Sequence, residues 1–100
     1  MVDDLVRNMQ SRSAELRSLN ARVRFVLGAP DAIILLDARS TPVTVTRADG
    51  EAECTLRLSP ENLGKLMDGR LNPMLAYTMG KLKVEGSTGI AMKLASLLDS

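Results

Sequence analysis

The sequence predicts an α+β domain, a single sheet wet on one face and covered by helices on the other. Three observations carry this. Apolar residues recur at helical spacing near both ends of the chain, they alternate with period two through the middle, and two short helices with cap signals stand before the last alternating segment.

Residues 2 to 18 form the first element, an amphipathic helix with Val2, Leu5, Val6, Met9 and Leu16 on one stripe and Asp3 and Arg7 spaced i,i+4 for an ion pair. It is expected to lie across the body as a cover. From Ala21 the period drops to two, with Val23, Phe25 and Leu27 pointing one way and Arg22 and Arg24 the other. Gly28-Ala29-Pro30-Asp31 makes a turn, and Ile33 to Asp37 is a second strand whose continuous apolar run suggests burial on both faces. Val43 and Val45 alternate with Thr44 and Thr46 in a third strand. Asp49-Gly50 then signals a hairpin into a fourth, where Ala52, Cys54, Leu56 and Leu58 face in and Glu53, Thr55 and Arg57 face out.

The stretch from Ser59 to Gly86 is the most informative. Ser59 is an N-cap with Pro60 at the first helical position, Leu63, Leu66 and Met67 share a face, and Gly69 ends the helix. Asn72 and Pro73 repeat that grammar for a second short helix carrying Met74, Leu75, Tyr77 and Met79, which Gly80 closes. Lys81-Leu82-Lys83-Val84-Glu85 alternates as a fifth strand. Ser87 caps a terminal helix whose stripe is Ile90, Ala91, Leu94, Leu97 and Leu98, with Met92 beside it.

Composition narrows function. A chain of 100 residues, 45% apolar, holds one modest core, so residues 1–100 read as a single domain. Its 13 basic and 12 acidic residues are interspersed, leaving a charge of +1 and no field to attract nucleic acid; the GxxG at Gly86-Ser87-Thr88-Gly89 is a helix start rather than a nucleic-acid loop. The longest apolar run, Ala32 to Leu36, falls far short of the roughly 20 residues of a membrane span, and MVDDLVRN lacks the order of a signal peptide. A cytoplasmic location is expected. The absence of histidine removes the commonest general base and metal ligand, and the single thiol, Cys54, supports neither a disulfide nor a usual zinc site. Asp31, Asp37 and Asp68 take turn and strand-end positions without forming an acid/base pair, so no catalysis and no cofactor are expected.

The order of these elements and the residues at their joints resemble the sterol carrier protein 2 family of lipid-binding domains, over about residues 21 to 98. The resemblance rests on Phe25, the strand Ala32 to Asp37, the alternating ECTLRLS of 53 to 59, Glu61-Asn62-Leu63, Gly69-Arg70-Leu71-Asn72-Pro73, Met79-Gly80-Lys81-Leu82-Lys83-Val84-Glu85-Gly86, and Ala91-x-Lys93-Leu94. It implies a five-stranded, largely antiparallel sheet covered by the N-terminal, two middle and C-terminal helices around an apolar tunnel. It implies a non-catalytic carrier of a fatty acyl chain, acyl-CoA, sterol-like or isoprenoid ligand. Three features depart from the pattern: Ile33 and Ile34 stand where a tryptophan is frequent, Ser87 where an aspartate often precedes the last helix, and the chain ends Leu97-Leu98-Asp99-Ser100 rather than in a peroxisomal address. The free-standing chain looks more like a bacterial cytosolic member.

The expected lining of the tunnel is Phe25, Leu56, Leu63, Leu66, Met67, Leu71, Met74, Leu75, Tyr77, Met79, Leu82, Val84, Ile90, Leu94 and Leu97. Methionine's flexible, polarizable side chain suits a wall that must fit variable chains, although the same residues serve equally as ordinary core. Tyr77 offers a hydroxyl to a head group, although a buried tyrosine more commonly bonds the backbone; Arg70, Lys81, Lys83 and Lys93 offer charge at a tunnel mouth, with solvation the plainer role for the two lysines opposite Leu82. Release demands opening, for which the amphipathic helices at the two ends are the candidates. Membrane contact is expected to be at most transient. The rival readings are a docking module or homodimer using the same groove, and an accessory protein presenting a lipid intermediate to a biosynthetic enzyme.

Overall fold

The computed structural model describes residues 2–28 and 32–98. Its elements run α1 (Val2–Ser11), α2 (Ser13–Leu16) with a 3-10 turn at Arg17–Leu19, β1 (Arg22–Val26), β2 (Ile33–Asp37), β3 (Thr44–Thr46), β4 (Cys54–Leu58), α3 (Pro60–Met67), α4 (Pro73–Thr78), β5 (Leu82–Gly86) and α5 (Thr88–Leu98). The strands form one sheet in the order β3-β2-β1-β4-β5, antiparallel except where β1 and β4 run parallel. The predicted α+β class and five-stranded sheet are therefore present. Residues 29–31 of the predicted first turn lie outside the described residues; on its flanks, Leu27 N–H donates to Ala32 O at 2.9 Å.

Register turns the period-two pattern into rows. Val45, Leu36, Val23 and Cys54 align across the sheet, as do Ile34, Phe25, Leu56 and Val84, and then Leu58 and Leu82. These rows form the inner face, on which all but the half-buried Val84 are buried. On the outer face arginines bridge neighbouring strands, Arg22 Nε meeting Asp37 at 3.1 Å and Arg57 Nε meeting Glu85 at 2.9 Å. Arginine hydrogen bonds hold the Glu85 carboxyl below its usual range, as they do Asp49 beside Arg24. Cys54 lies in an apolar row, and burial pushes its thiol up to about 11.

The helices cover the inner face. α1 packs over β3 and α3, α5 over β4 and β5, and α4 against β5. Arg12, between α1 and α2, ties this layer together: its guanidinium donates to Leu98 O at 2.9 Å, to Met67 O at 2.8 Å and to Asn8 Oδ1 at 3.0 Å. One cation thus closes the C-terminal carbonyls of both α3 and α5, where the helix dipoles favour positive charge. Among the described residues no helix is long and apolar enough to cross a membrane.

Four local expectations need correction. The helix foreseen over 2 to 18 breaks at Arg12, whose backbone (φ −102°, ψ 15°) leaves the helical region. Arg7 pairs with Asp4 rather than Asp3, which reaches Arg47 at 3.1 Å. Asp49-Gly50 does not close a hairpin, because β3 is an edge strand on β2 while β4 pairs with β1 and β5; residues 47–53 instead cross the outer face, Asp49 bonding Arg24 at 2.5 Å. A Cβ built at Gly50 would sit 2.9 Å from Leu35, so glycine lets that crossing lie close to the sheet. Finally, β2 is not buried on both faces: Ile34 and Leu36 are buried, whereas Ile33 and Leu35 are half-buried on the outer side.

Candidate functional site

The site is built where α4, β5 and α5 meet, and local chemistry sets each piece. Ser59 Oγ accepts from Asn62 N–H at 3.1 Å, opening α3. Asn72 Oδ1 accepts from Met74 and Leu75 N–H at 2.8 and 3.3 Å, opening α4. Both helices close with the same back-bond, Arg70 N–H to Lys65 O and Lys81 N–H to Ala76 O, each 2.8 Å, across Gly69 and Gly80. After β5, Gly86 at φ +85° turns the chain into α5; a Cβ there would lie 2.4 Å from Glu53 O, so only glycine fits. Ser87 Oγ then accepts from Ile90 N–H at 3.3 Å.

Between α4 and α5, above β5, lies an open apolar groove of about 200 Å³. Leu82 and Val84 form its floor, Pro73, Met74 and Tyr77 one wall, and Thr88, Ala91, Met92 and Ala95 the other. Behind it is a smaller, more enclosed pocket of about 30 Å³, bounded by Phe25, Leu56, Leu58, Leu63, Leu66, Leu94 and Leu98. The two cavities share Pro73, Leu82, Ala91 and Ala95. The two cavities therefore adjoin at those four residues, which stand between them, in place of one open tunnel. Among the described residues no cluster of three or more His, Cys, Asp or Glu side chains suits a metal ion.

The expected lining residues divide accordingly. Phe25, Leu56, Leu63, Leu66 and Leu94 surround the inner pocket, Met74, Tyr77 and Val84 the groove, and Leu82 both. Met67 is buried, and Leu71, Ile90 and Leu97 pack half-buried against the core, without lining either cavity. Leu75 and Met79, expected inward, are 57% and 59% exposed. The reason is geometric. On a six-residue helix only Ala76 is fully buried; Met74 and Tyr77, three apart, flank the groove, while Leu75 and Met79, four apart, stand on the outward side.

Seven lining residues were not anticipated: Pro73, Thr88, Ala91, Met92, Ala95, Leu58 and Leu98. The readable signal was Ala91 and Ala95, small residues one turn apart on a stripe of leucines, which leave room where larger side chains would close it. Of the candidate head-group cations, Arg70 is engaged with Asp68 at 2.9 Å. Lys81, Lys83 and Lys93 are exposed and enter none of the ion pairs among the described residues.

Comparison with known proteins agrees with this architecture. The chain is 37% identical over 71 residues to bovine sterol carrier protein 2, a match covering 70% of this chain and 13% of the relative, so the chain spans a small fraction of that protein's length. The sterol carrier protein domain 2 of Helicoverpa armigera superimposes with a TM-score of 0.72 at 27% identity, covering 97% of this chain and 81% of that one. The UbiJ-SCP2 ubiquinone synthesis protein superimposes with a TM-score of 0.67 at 25% identity, covering 88% and 76%. Residues 2–99 match the SCP-2 sterol transfer family, and with the sheet order, the helical cover and the adjoining apolar cavities already described, this chain belongs to that family.

Proposed function

We propose that this chain is a non-catalytic lipid carrier that takes the hydrocarbon of a fatty acyl ligand into the groove between α4, β5 and α5 and onward past Ala91 and Ala95. The observation that carries the reading is the sharing of four lining residues between groove and inner pocket, so that displacing those side chains would join the two. Family membership and the 37% identity to bovine sterol carrier protein 2 support a lipid-binding role.

Size favours a slender ligand. The groove's 200 Å³ lies below the roughly 300–1,000 Å³ of an ordinary small-molecule site, so a long guest must part the narrow wall as it enters. A polymethylene chain does so one carbon at a time; a rigid ring system needs the full width at once. Burial yields about 0.8 kcal/mol per methylene, on the order of 12 kcal/mol gross for sixteen carbons, less several for ordering chain and protein. Tyr77 and Thr88 are the hydroxyl-bearing residues of the groove lining, and the head group is assigned to that rim. No carboxylate, thiol or imidazole is among the described residues lining the groove, and the reading accordingly assigns it no acid/base chemistry. On this reading the carrier acts in the cytoplasm, as a domain of residues 1–100.

The test is denaturing mass spectrometry of an organic extract from the purified protein, followed by titration of the stripped protein with a fluorescent fatty acid. Co-purified lipid and saturable uptake are expected. A clean extract together with no saturable uptake would remove the carrier reading. Likeness to a ubiquinone synthesis protein favours a second reading, in which the same groove presents an isoprenoid intermediate to a separate enzyme; quinone precursors in the extract would select it.

A further inference from the structure

We propose that β5 is a pairing edge for a second copy of this chain: two β5 strands lie antiparallel about a two-fold axis at Val84 and join two five-stranded sheets into one.

The sheet ends in two edges, β3 and β5. At β3, Gln10 of α1 donates from Nε2 to Val45 O at 3.0 Å, so a helix side chain already occupies the main chain there. An edge without such cover is a template for another strand. On β5, Lys83, Glu85 and Gly86 are exposed and Val84 is half-buried. The bond that Ser87 N–H donates to Glu53 O at 3.0 Å fixes the phase of the β4–β5 ladder. Bonded positions alternate in an antiparallel pair, so Lys83 and Glu85 direct their N–H and C=O groups at β4. Those of Val84 therefore point away from β4, and among the described residues no hydrogen bond reaches them.

Charge selects the partner and the register. With the axis at Val84, each Val84 bonds its counterpart in both directions, and Lys83 of one copy stands opposite Glu85 of the other. Symmetry makes that pair twice. Lys83 enters none of the ion pairs among the described residues. Glu85 accepts from Arg57 through Oε2 at 2.9 Å, and among the described residues its other oxygen makes no bond. A lysine on an edge strand ordinarily deters pairing; here the carboxylate two residues along cancels that deterrent in one register. A slip of two residues sets Lys83 against Lys83, or Glu85 against Glu85. A slip of one sets the apolar face of one strand beside the charged face of the other. Val84 is also a floor residue of the groove, so the axis brings the floors of two grooves into one row.

Analytical ultracentrifugation of the whole chain over a concentration series tests this, and wild type should reach a dimer. Lys83→Glu turns two attractive pairs into two repulsive ones and should weaken the dimer about tenfold or more. Adding Glu85→Lys to that variant restores opposite charges and should recover the dimer. Circular dichroism melts check that both variants fold, each site being exposed. Val84→Cys reads the register. Its two Cα atoms would stand about 5.5 Å apart, within disulfide reach, so an added oxidant should link the copies. Lys81→Cys, about 20 Å from its counterpart along the paired strands, should stay unlinked. A monomer at every concentration overturns the proposal. So does a dimer indifferent to Lys83→Glu, or one that the added Glu85→Lys fails to restore. Cross-linking at Lys81→Cys as readily as at Val84→Cys also overturns it, since the contact then lies elsewhere. The pairing does not depend on what the groove holds: a dimer that passes these tests yet takes up no fatty acid keeps the proposal and removes the carrier reading instead.

Discussion

Replacing Ala95 by leucine should cap the length of chain this protein can hold. Ala91 and Ala95 sit one turn apart on α5 and line both the groove and the inner pocket, so they belong to the wall between the two. Leucine adds three carbons there. If each displaces one methylene of the guest, the loss is about 2.4 kcal/mol at 0.8 kcal/mol per methylene, or roughly 50-fold in affinity. Leucine's helix propensity is close to alanine's and Ala95 is only half-buried, so the fold should persist. The assay is competitive displacement of a fluorescent fatty acid by saturated acids of increasing length. Wild type should gain up to about fourfold per added carbon until the path is filled. Ala95→Leu should stop gaining about three carbons earlier, and Ala91→Leu should behave alike. A folded variant with unaltered affinity and the same length limit would refute the shared wall as the route inward.

Three further outcomes follow from the scaffold. Arg12→Ala frees the carbonyls of Leu98 and Met67 together and should cost about 2–3 kcal/mol in urea unfolding; Arg12→Lys should restore part of this, and a neutral Arg12→Ala would deny the tie between α3 and α5. Gly86→Ala should cost at least about 2 kcal/mol, since the new Cβ meets a backbone carbonyl, whereas Gly80→Ala, with nothing within 4 Å, should cost only the about 1–2 kcal/mol of its positive φ; equal melting shifts would contradict this. Cys54 supplies a pH dependence: its thiol is raised from 9.0 to about 11 in the folded chain, so its contribution is whole below pH 9 and is lost as pH climbs toward 11. The stability difference between wild type and Cys54→Ala should therefore shrink by about 2–3 kcal/mol across that window; a constant difference would refute the buried neutral thiol.

What could be read in the sequence was mostly what is local. Ser59, Asn72 and Ser87 cap the helices they were expected to cap, because each oxygen bonds an N–H only two or three residues on. The inner rows of the sheet follow from alternation alone. Pairing between distant segments was less legible: Asp49-Gly50 has hairpin composition, yet β3 and β4 lie on opposite sides of the β1–β2 pair, a choice made by long-range burial. The candidate site shows the same limit. Spacing placed Met74, Leu75, Tyr77 and Met79 on a short helix but could not tell whether anything would cover them, and α4 is too short to bury more than Ala76. Cavities are set by the small residues as much as by the large ones, and a list of leucines and methionines passes over Ala91 and Ala95.

The central claim, that an acyl chain occupies the α4–β5–α5 groove, is tested most directly through the methionine methyl groups. Their carbon–proton NMR signals are followed while the stripped protein is titrated with palmitate. Met74 and Met92 line the groove and should shift to saturation, whereas Met9, buried on the core side of α1, and Met67, buried at the end of α3, should stay in place. Saturable binding that moves Met9 or Met67 while leaving Met74 and Met92 untouched would put the guest elsewhere and contradict the account.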